Sequence, residues 1–205
     1  DLHKEYRRQR QMCIRDSGVM VNSGSSANLL AISTLTNKET LGHLTPGDEV
    51  IVPALCWSTT VWPLVQNGLV PVIVDIDPFT LNMDPNEVER AVGPKTRGLM
   101  AVPVYGNPCN MDALREIATR HQIFLIEDCS QAHFAKYQGQ VVGTIGDING
   151  LSLGGKHLSS GTGGIGGTSV LHDTSPLIVP LFSLLVWSIT LVPLPSLKFQ
   201  LSLIQ

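Results

Sequence analysis

Two residues give this sequence its most specific chemistry. Lys156 sits in Gly150-Leu151-Ser152-Leu153-Gly154-Gly155-Lys156-His157, among glycines and hydroxyls, and Asp128 follows the apolar run Ile123-Phe124-Leu125-Ile126-Glu127. A lysine amine can form a Schiff base with an aldehyde, and an acid at a strand end can keep a pyridine nitrogen protonated so that the ring accepts electrons. Together they are the pair that pyridoxal 5'-phosphate chemistry requires. Alone, each has a plainer reading, the lysine as a solvated surface charge and the aspartate as a strand-end cap. The case rests on their neighbours.

Those neighbours are three. Asn22-Ser23-Gly24-Ser25-Ser26-Ala27-Asn28 precedes an apolar-periodic segment. Small hydroxyl residues at a helix start offer free N–H groups, hydroxyls and a positive dipole end to a phosphate; the plain alternative is a serine cap without a ligand. Trp57 follows the run Val50-Ile51-Val52-Pro53-Ala54-Leu55-Cys56, and a tryptophan at a strand's carboxyl end can lie flat on an aromatic ring. Gln131 and His133 come within a turn of Asp128. A phosphate cradle, a stacking ring, an acid and an amine gathered on one sheet edge are hard to explain by packing.

The elements that must position them read as α/β between residues 18 and 173. Strands are expected at Glu49–Pro53, Val70–Ile76, Gly98–Val104 and Ile123–Glu127, with weaker ones at Ile148–Leu153 and Thr168–His172. Helices are expected at Ser26–Leu35, Ser58–Asn67, Pro85–Val92 and Met111–His121. Asp84, Pro85 and Glu87 make a helix-start signature. Asn110 is a cap for the last helix, and Arg115, Arg120 and His121 lie toward its end, where positive charge is favoured. Continuous apolar strands separated by helices imply a mostly parallel sheet covered on both faces, with ligands outside the strands' carboxyl ends.

Composition narrows the class. The 205 residues are 43% hydrophobic and 15% charged, with a formal net charge of -3 and no basic block, so neither nucleic acid nor an anionic membrane surface is an expected partner. Cys13, Cys56, Cys109 and Cys129 are far apart with no C-x-x-C pair, which argues against zinc or a disulfide framework and for free thiols in a cytoplasmic setting. Residues 1–17 hold five Lys or Arg and no apolar period, and read as a non-native segment. Residues 174–205 change texture abruptly. From Pro176 to Leu197 there is no charge, but Pro176, Pro180, Pro193 and Pro195 punctuate the run. A shifted reading frame, a buried segment and a membrane helix remain open for it.

Three blocks carry a resemblance. Gly47-Asp48-Glu49-Val50-Ile51-Val52-Pro53-Ala54, Glu127-Asp128-Cys129-Ser130-Gln131-Ala132-His133 and Gly155-Lys156-His157-Leu158-Ser159-Ser160-Gly161-Thr162-Gly163-Gly164 occur in the order found in the DegT-type sugar aminotransferases, and residues 20–173 resemble that family. The resemblance implies the three-layer large domain of a fold-type-I pyridoxal phosphate enzyme, present here in part. It implies that Ser25, Ser26 and Ser152 touch the cofactor phosphate and that Trp57 stacks on the ring. Asp128 would pair with the ring nitrogen, Gln131 would contact the ring-hydroxyl side, and Lys156 would hold the cofactor and act in catalysis with Asp128. Departures are Thr162 where the family has glutamate, a spacing from Ser152 to Lys156 one residue shorter, and no recognisable counterpart to the C-terminal small domain. By the same resemblance the full-length enzyme would be a cytoplasmic homodimer, and the chain as written a fragment with little activity.

The implied reaction is transamination from glutamate or glutamine to a keto sugar, itself nucleotide-linked, in polysaccharide or natural-product sugar biosynthesis. A relative within the family bears histidine in place of the lysine and dehydrates a keto sugar; Lys156 favours amino transfer. One alternative is a dinucleotide-binding oxidoreductase, because Gly161-Thr162-Gly163-Gly164-Ile165-Gly166 matches G-x-G-x-x-G. That motif needs a helix opening at it, whereas Gly166–Val170 reads as strand. A catalytically silent remnant of the family is the other alternative.

Overall fold

The computed structural model describes residues 18–152 and 166–170. Lys156, residues 161–165 of the glycine-rich run, the 1–17 segment and the 174–205 tail lie outside the described residues. The elements in chain order are β1 (Gly18–Val21), α1 (Gly24–Leu35), β2 (Glu49–Pro53), α2 (Ser58–Gln66), β3 (Val70–Val74), α3 (Pro85–Ala91), β4 (Thr96–Ala101), α4 (Met111–His121), β5 (Phe124–Asp128), β6 (Lys136–Tyr137), β7 (Gln140–Val141), β8 (Ile148–Ser152) and β9 (Gly166–Val170). Seven strands form one sheet in the order β1-β9-β8-β5-β4-β2-β3. From β8 through β3 all neighbours are parallel, and β9 alone runs against both of its neighbours. Because Gly166 opens a strand and not a helix, the segment lacks the context that a dinucleotide motif requires. Among the described residues no helix is long and apolar enough to cross a membrane.

Alternation along the strands sends side chains into two separate cores, as a sheet covered on both faces requires. Val50, Val52, Met100, Ile126 and Ile148 pack with Ala31, Ile32 and Leu35 of α1 and Leu64 of α2. Ile51, Leu99, Ala101 and Leu125 pack on the other side with Val88 of α3 and Met111, Leu114 and Ile117 of α4. The result is the expected three-layer architecture.

Helix starts follow the sequence signals closely. Asp84 accepts from the Asn86 N–H at 2.8 Å, with Pro85 at the first position, and Asn110 accepts from the Ala113 N–H. Arg120 and His121 sit in the last turn of α4, but Arg115 reaches across to donate to the Ile145 carbonyl at 2.6 Å. α1 starts two residues before the expected Ser26, because Ser23 is its cap and accepts from the Ser26 N–H. β4 lies two to three residues earlier than expected, since Pro103 has no N–H for a ladder. The short β1 and the β6–β7 hairpin, turned at Gln138 and Gly139 with positive φ, carry too few residues to show a period.

One buried acid fixes how β8 enters the sheet. Glu127, on the opposite side of β5 from Asp128 and 1% exposed, accepts from the N–H groups of Gly143 (2.8 Å), Ile145 (2.8 Å) and Gly146 (2.5 Å). The turn so held continues directly into β8, and the Asp147 side chain closes it by accepting from the Leu125 N–H. Glu127→Leu strands three buried donors at about 1 kcal/mol or more each. Urea unfolding should therefore show a loss of about 3 kcal/mol or more.

Burial and the Glu127 charge push the Cys109 thiol up from 9.0 to about 12. Between those values the folded chain keeps a proton that the unfolded chain has released, so stability falls as pH rises through that window. The slope of unfolding free energy between pH 9 and 12 should be smaller in Cys109→Ala.

Candidate functional site

The last residue of β5 places a carboxylate under the sheet's carboxyl edge. Asp128 is 3% exposed. Its Oδ2 accepts from Asn28 Nδ2 at 2.8 Å and Thr60 Oγ1 at 2.7 Å, and its Oδ1 accepts from the Ser130 N–H at 3.2 Å and Ser130 Oγ at 2.6 Å. All four donors are neutral, and among the described residues no lysine, arginine or histidine pairs with it. A buried carboxylate without a countercharge is costly. A protonated ring nitrogen would supply that charge, so the residues present fit pyridoxal phosphate.

Asn28 reaches Asp128 because α1 lies hard against β8. Gly24 and Asn28, four residues apart on one helix face, look onto the strand. A Cβ at Gly24 would overlap the Ser152 side chain, and one at Gly150 would overlap Asn28 Oδ1. The start of α1 and the end of β8 therefore meet, at Gly24 and Ser152. Ser25 is exposed, and Ser26 Oγ accepts from Ser23 Oγ at 3.0 Å. The positive end of a twelve-residue helix stands at this point, capped by Ser23.

Trp57 is the cap residue of α2, at the end of the chain leaving β2; it makes no side-chain cap bond, and its indole is 62% exposed. Thr60, three residues later, is the residue bonded to Asp128. Cys56 lies in the same corner: burial raises its thiol, the Asp128 charge adds to that, and a hydrogen bond with Thr60 opposes it. Gln131 is also near, but its Oε1 accepts from the N–H of Tyr105, an exposed residue held at φ 53. Ser25 and Ser26 thus stand in the first turn of α1, whose Gly24 meets Ser152; Asp128 is bonded from α1 and α2, Trp57 caps the helix that bears Thr60, and Gln131 is tied to the turn after β4.

Sequence reasoning passed over Asn28, Thr60 and Ser130. A polar residue on the buried face of an otherwise apolar helix was the available signal for Asn28, within Ser26-Ala27-Asn28-Leu29-Leu30-Ala31-Ile32.

Comparison with known proteins agrees with this geometry. The model of the DegT/DnrJ/EryC1/StrS aminotransferase family matches residues 7–171. A dTDP-4-dehydro-2,6-dideoxy-D-glucose 3-dehydratase of Saccharopolyspora spinosa is 47% identical over 148 residues, 71% of this chain and 32% of the relative. An L-glutamine:2-deoxy-scyllo-inosose aminotransferase of Streptoalloteichus tenebrarius is 47% identical over 119 residues, 58% of this chain and 28% of the relative. The structure of the E. coli GDP-4-keto-6-deoxy-D-mannose-3-dehydratase with bound hydrated PLP matches with a TM-score of 0.75 at 36% identity, covering 84% of this chain and 44% of that one. The chain spans about a third of the length of the curated relatives it matches.

The contact between helix start and strand end is open to direct test. Gly24→Ala puts a methyl where Ser152 already stands. Overpacking of this kind should lower stability by about 1–3 kcal/mol, read from thermal or urea unfolding.

Proposed function

The chain belongs to the DegT/DnrJ/EryC1/StrS aminotransferase family, and from that premise we propose that it is the cofactor-binding part of a pyridoxal phosphate-dependent sugar aminotransferase. The enzyme moves an amino group from glutamate or glutamine to a keto sugar carried on a nucleotide, in polysaccharide or natural-product sugar biosynthesis. The observation that carries this reading is the buried Asp128, bonded among the described residues to neutral donors alone and set near a helix start that touches Ser152. The names of relatives support the substrate class, since they include a glutamine-dependent aminotransferase and dehydratases of nucleotide-linked deoxysugars.

Bound pyridoxal phosphate supplies an electron-accepting ring next to the nitrogen being transferred. The residues of this chain do the rest. Asp128 holds the proton on the ring nitrogen, keeping the positive charge that makes the ring an acceptor. Ser25, Ser26 and Ser152 would hold the phosphate, Trp57 would stack on the ring, and Gln131 would contact its hydroxyl side. Lys156, four residues past the end of β8 in sequence, would hold the cofactor through Nζ, and its freed amine would serve as general acid–base for the donor's α-proton. Lys156 is the sequence feature that favours amino transfer over the dehydration named for several relatives. In the same reading residues 18–173 are the cofactor-binding domain, and the enzyme works in the cytoplasm as a homodimer.

Borohydride reduction of the cofactor-loaded protein, followed by peptide mass spectrometry, tests the assignment. The phosphopyridoxyl mass should fall on the peptide containing Lys156 and vanish in Lys156→Ala. An adduct on Lys95 or Lys136 instead would sink it.

A further inference from the structure

Two side chains that no part of the proposed chemistry uses converge on one oxygen of Asp128. Asn28 comes from the second turn of α1 and Thr60 from the first turn of α2, 100 and 68 residues away in sequence. Both are buried, at 1% and 0% exposure, so neither bond is a solvated surface contact. Asn28 Nδ2 also donates to the Thr59 carbonyl at 3.3 Å, which ties the amide to the start of α2. Its Oδ1 is buried without a hydrogen-bond partner among the described residues and lies where a Cβ of residue 150 would stand. Evolution could have filled this space with an apolar side chain and avoided a buried unpaired acceptor, a deficit of about 1–3 kcal/mol. The amide is tolerated there with only its donor end engaged, and that donor points at Asp128. By contrast, among the described residues Oδ1 of Asp128 is served by Ser130 alone, two residues along the same chain.

We infer that Asn28 and Thr60 are positioning residues that clamp Oδ2 of Asp128, fixing the carboxylate's orientation and offsetting its buried charge so that it can pair with a cationic ring nitrogen. The inference rests on the pyridoxal phosphate reading and adds to it a pair of residues that act through Asp128. The clamp requires both helices to start beside β5, which the close approach of α1 to β8 secures. Donors to a carboxylate are charge-assisted and directional. Losing one lets the carboxylate turn and leaves its charge less compensated, and the penalty falls on whichever ligand atom depends on it.

That dependence separates positioning from mere structure. Pyridoxal 5'-phosphate and its 1-deaza analogue, in which carbon replaces the ring nitrogen, share the phosphate, the aldehyde and the ring faces. Dissociation constants of both are to be measured by fluorescence titration on the intact protein. In Thr60→Val, affinity for pyridoxal phosphate should fall about tenfold, the size of a hydrogen bond to a charged group. Affinity for the deaza analogue should stay within about twofold of the parent, and Thr60→Ser should restore the parent value for pyridoxal phosphate. Asn28→Ala should show the same selective loss and decides the matter if Thr60→Val does not fold. Equal losses for both compounds, or none for either, overturn the clamp. If the parent protein binds neither compound, it is the cofactor reading that fails.

Discussion

The close approach of α1 to β8 is the constraint on which the site depends. Helix and strand can touch only because Gly24 and Gly150 carry no side chain where they face Ser152 and Asn28. With that contact made, the helix start stands at the strand's carboxyl end, where Gly24 meets Ser152. The second turn of α1 then reaches over β8 to β5, where Asn28 finds Asp128. α1 also packs on α2, and the start of α2 arrives at the same carboxylate through Thr60. Three elements distant in sequence share one pair of oxygens, so a shift in any of them is felt at the others.

Two adjacent acids in β5 show how environment divides labour between identical chemical groups. Strand alternation sends Glu127 and Asp128 to opposite sides of the sheet. Glu127 is enclosed by three backbone N–H groups of a turn, an arrangement that leaves its charge spent on holding that turn in place. Burial, and after it the Glu127 charge, raises the thiols of Cys109 and Cys129. Asp128 is met by Ser130 on one oxygen and, on the other, by side chains from helices whose other ends are anchored in a separate core. The first acid shapes the route by which β8 joins the sheet, and the second stands where that route ends.

Much of this was legible in the sequence. The limits of β2 and α4 were readable because Pro53 and Asn110 punctuate strong patterns, and Asp84 with Pro85 announced α3. Asp128, Trp57 and the serines could be placed on one edge because parallel strands put their carboxyl ends together. Asn28 and Thr60 were not legible, since hydrogen bonds across 100 and 68 residues leave no local period. Arg115 misled for the same reason: helical position pointed to the end of α4, whereas its guanidinium serves a carbonyl in the turn before β8. Glu127 looked like one end of an apolar run, and only the turn folded beneath it shows what it binds.

Pro71 gives the far edge of the sheet a different character. β3 is the terminal strand among the described residues, with Val70 45% and Ile73 65% exposed. The Val70 N–H points inward, to the Asp48 carbonyl beside β2. Backbone groups alternate along a strand, so the nitrogen of Pro71 faces outward, where a foreign strand would look for a donor. The ring costs the native sheet no hydrogen bond and leaves Ile73 as the next outward donor. An apolar edge that would otherwise recruit other chains is thus made a poor template, and growth of the sheet from molecule to molecule is checked by a residue that takes no part in the chemistry at all.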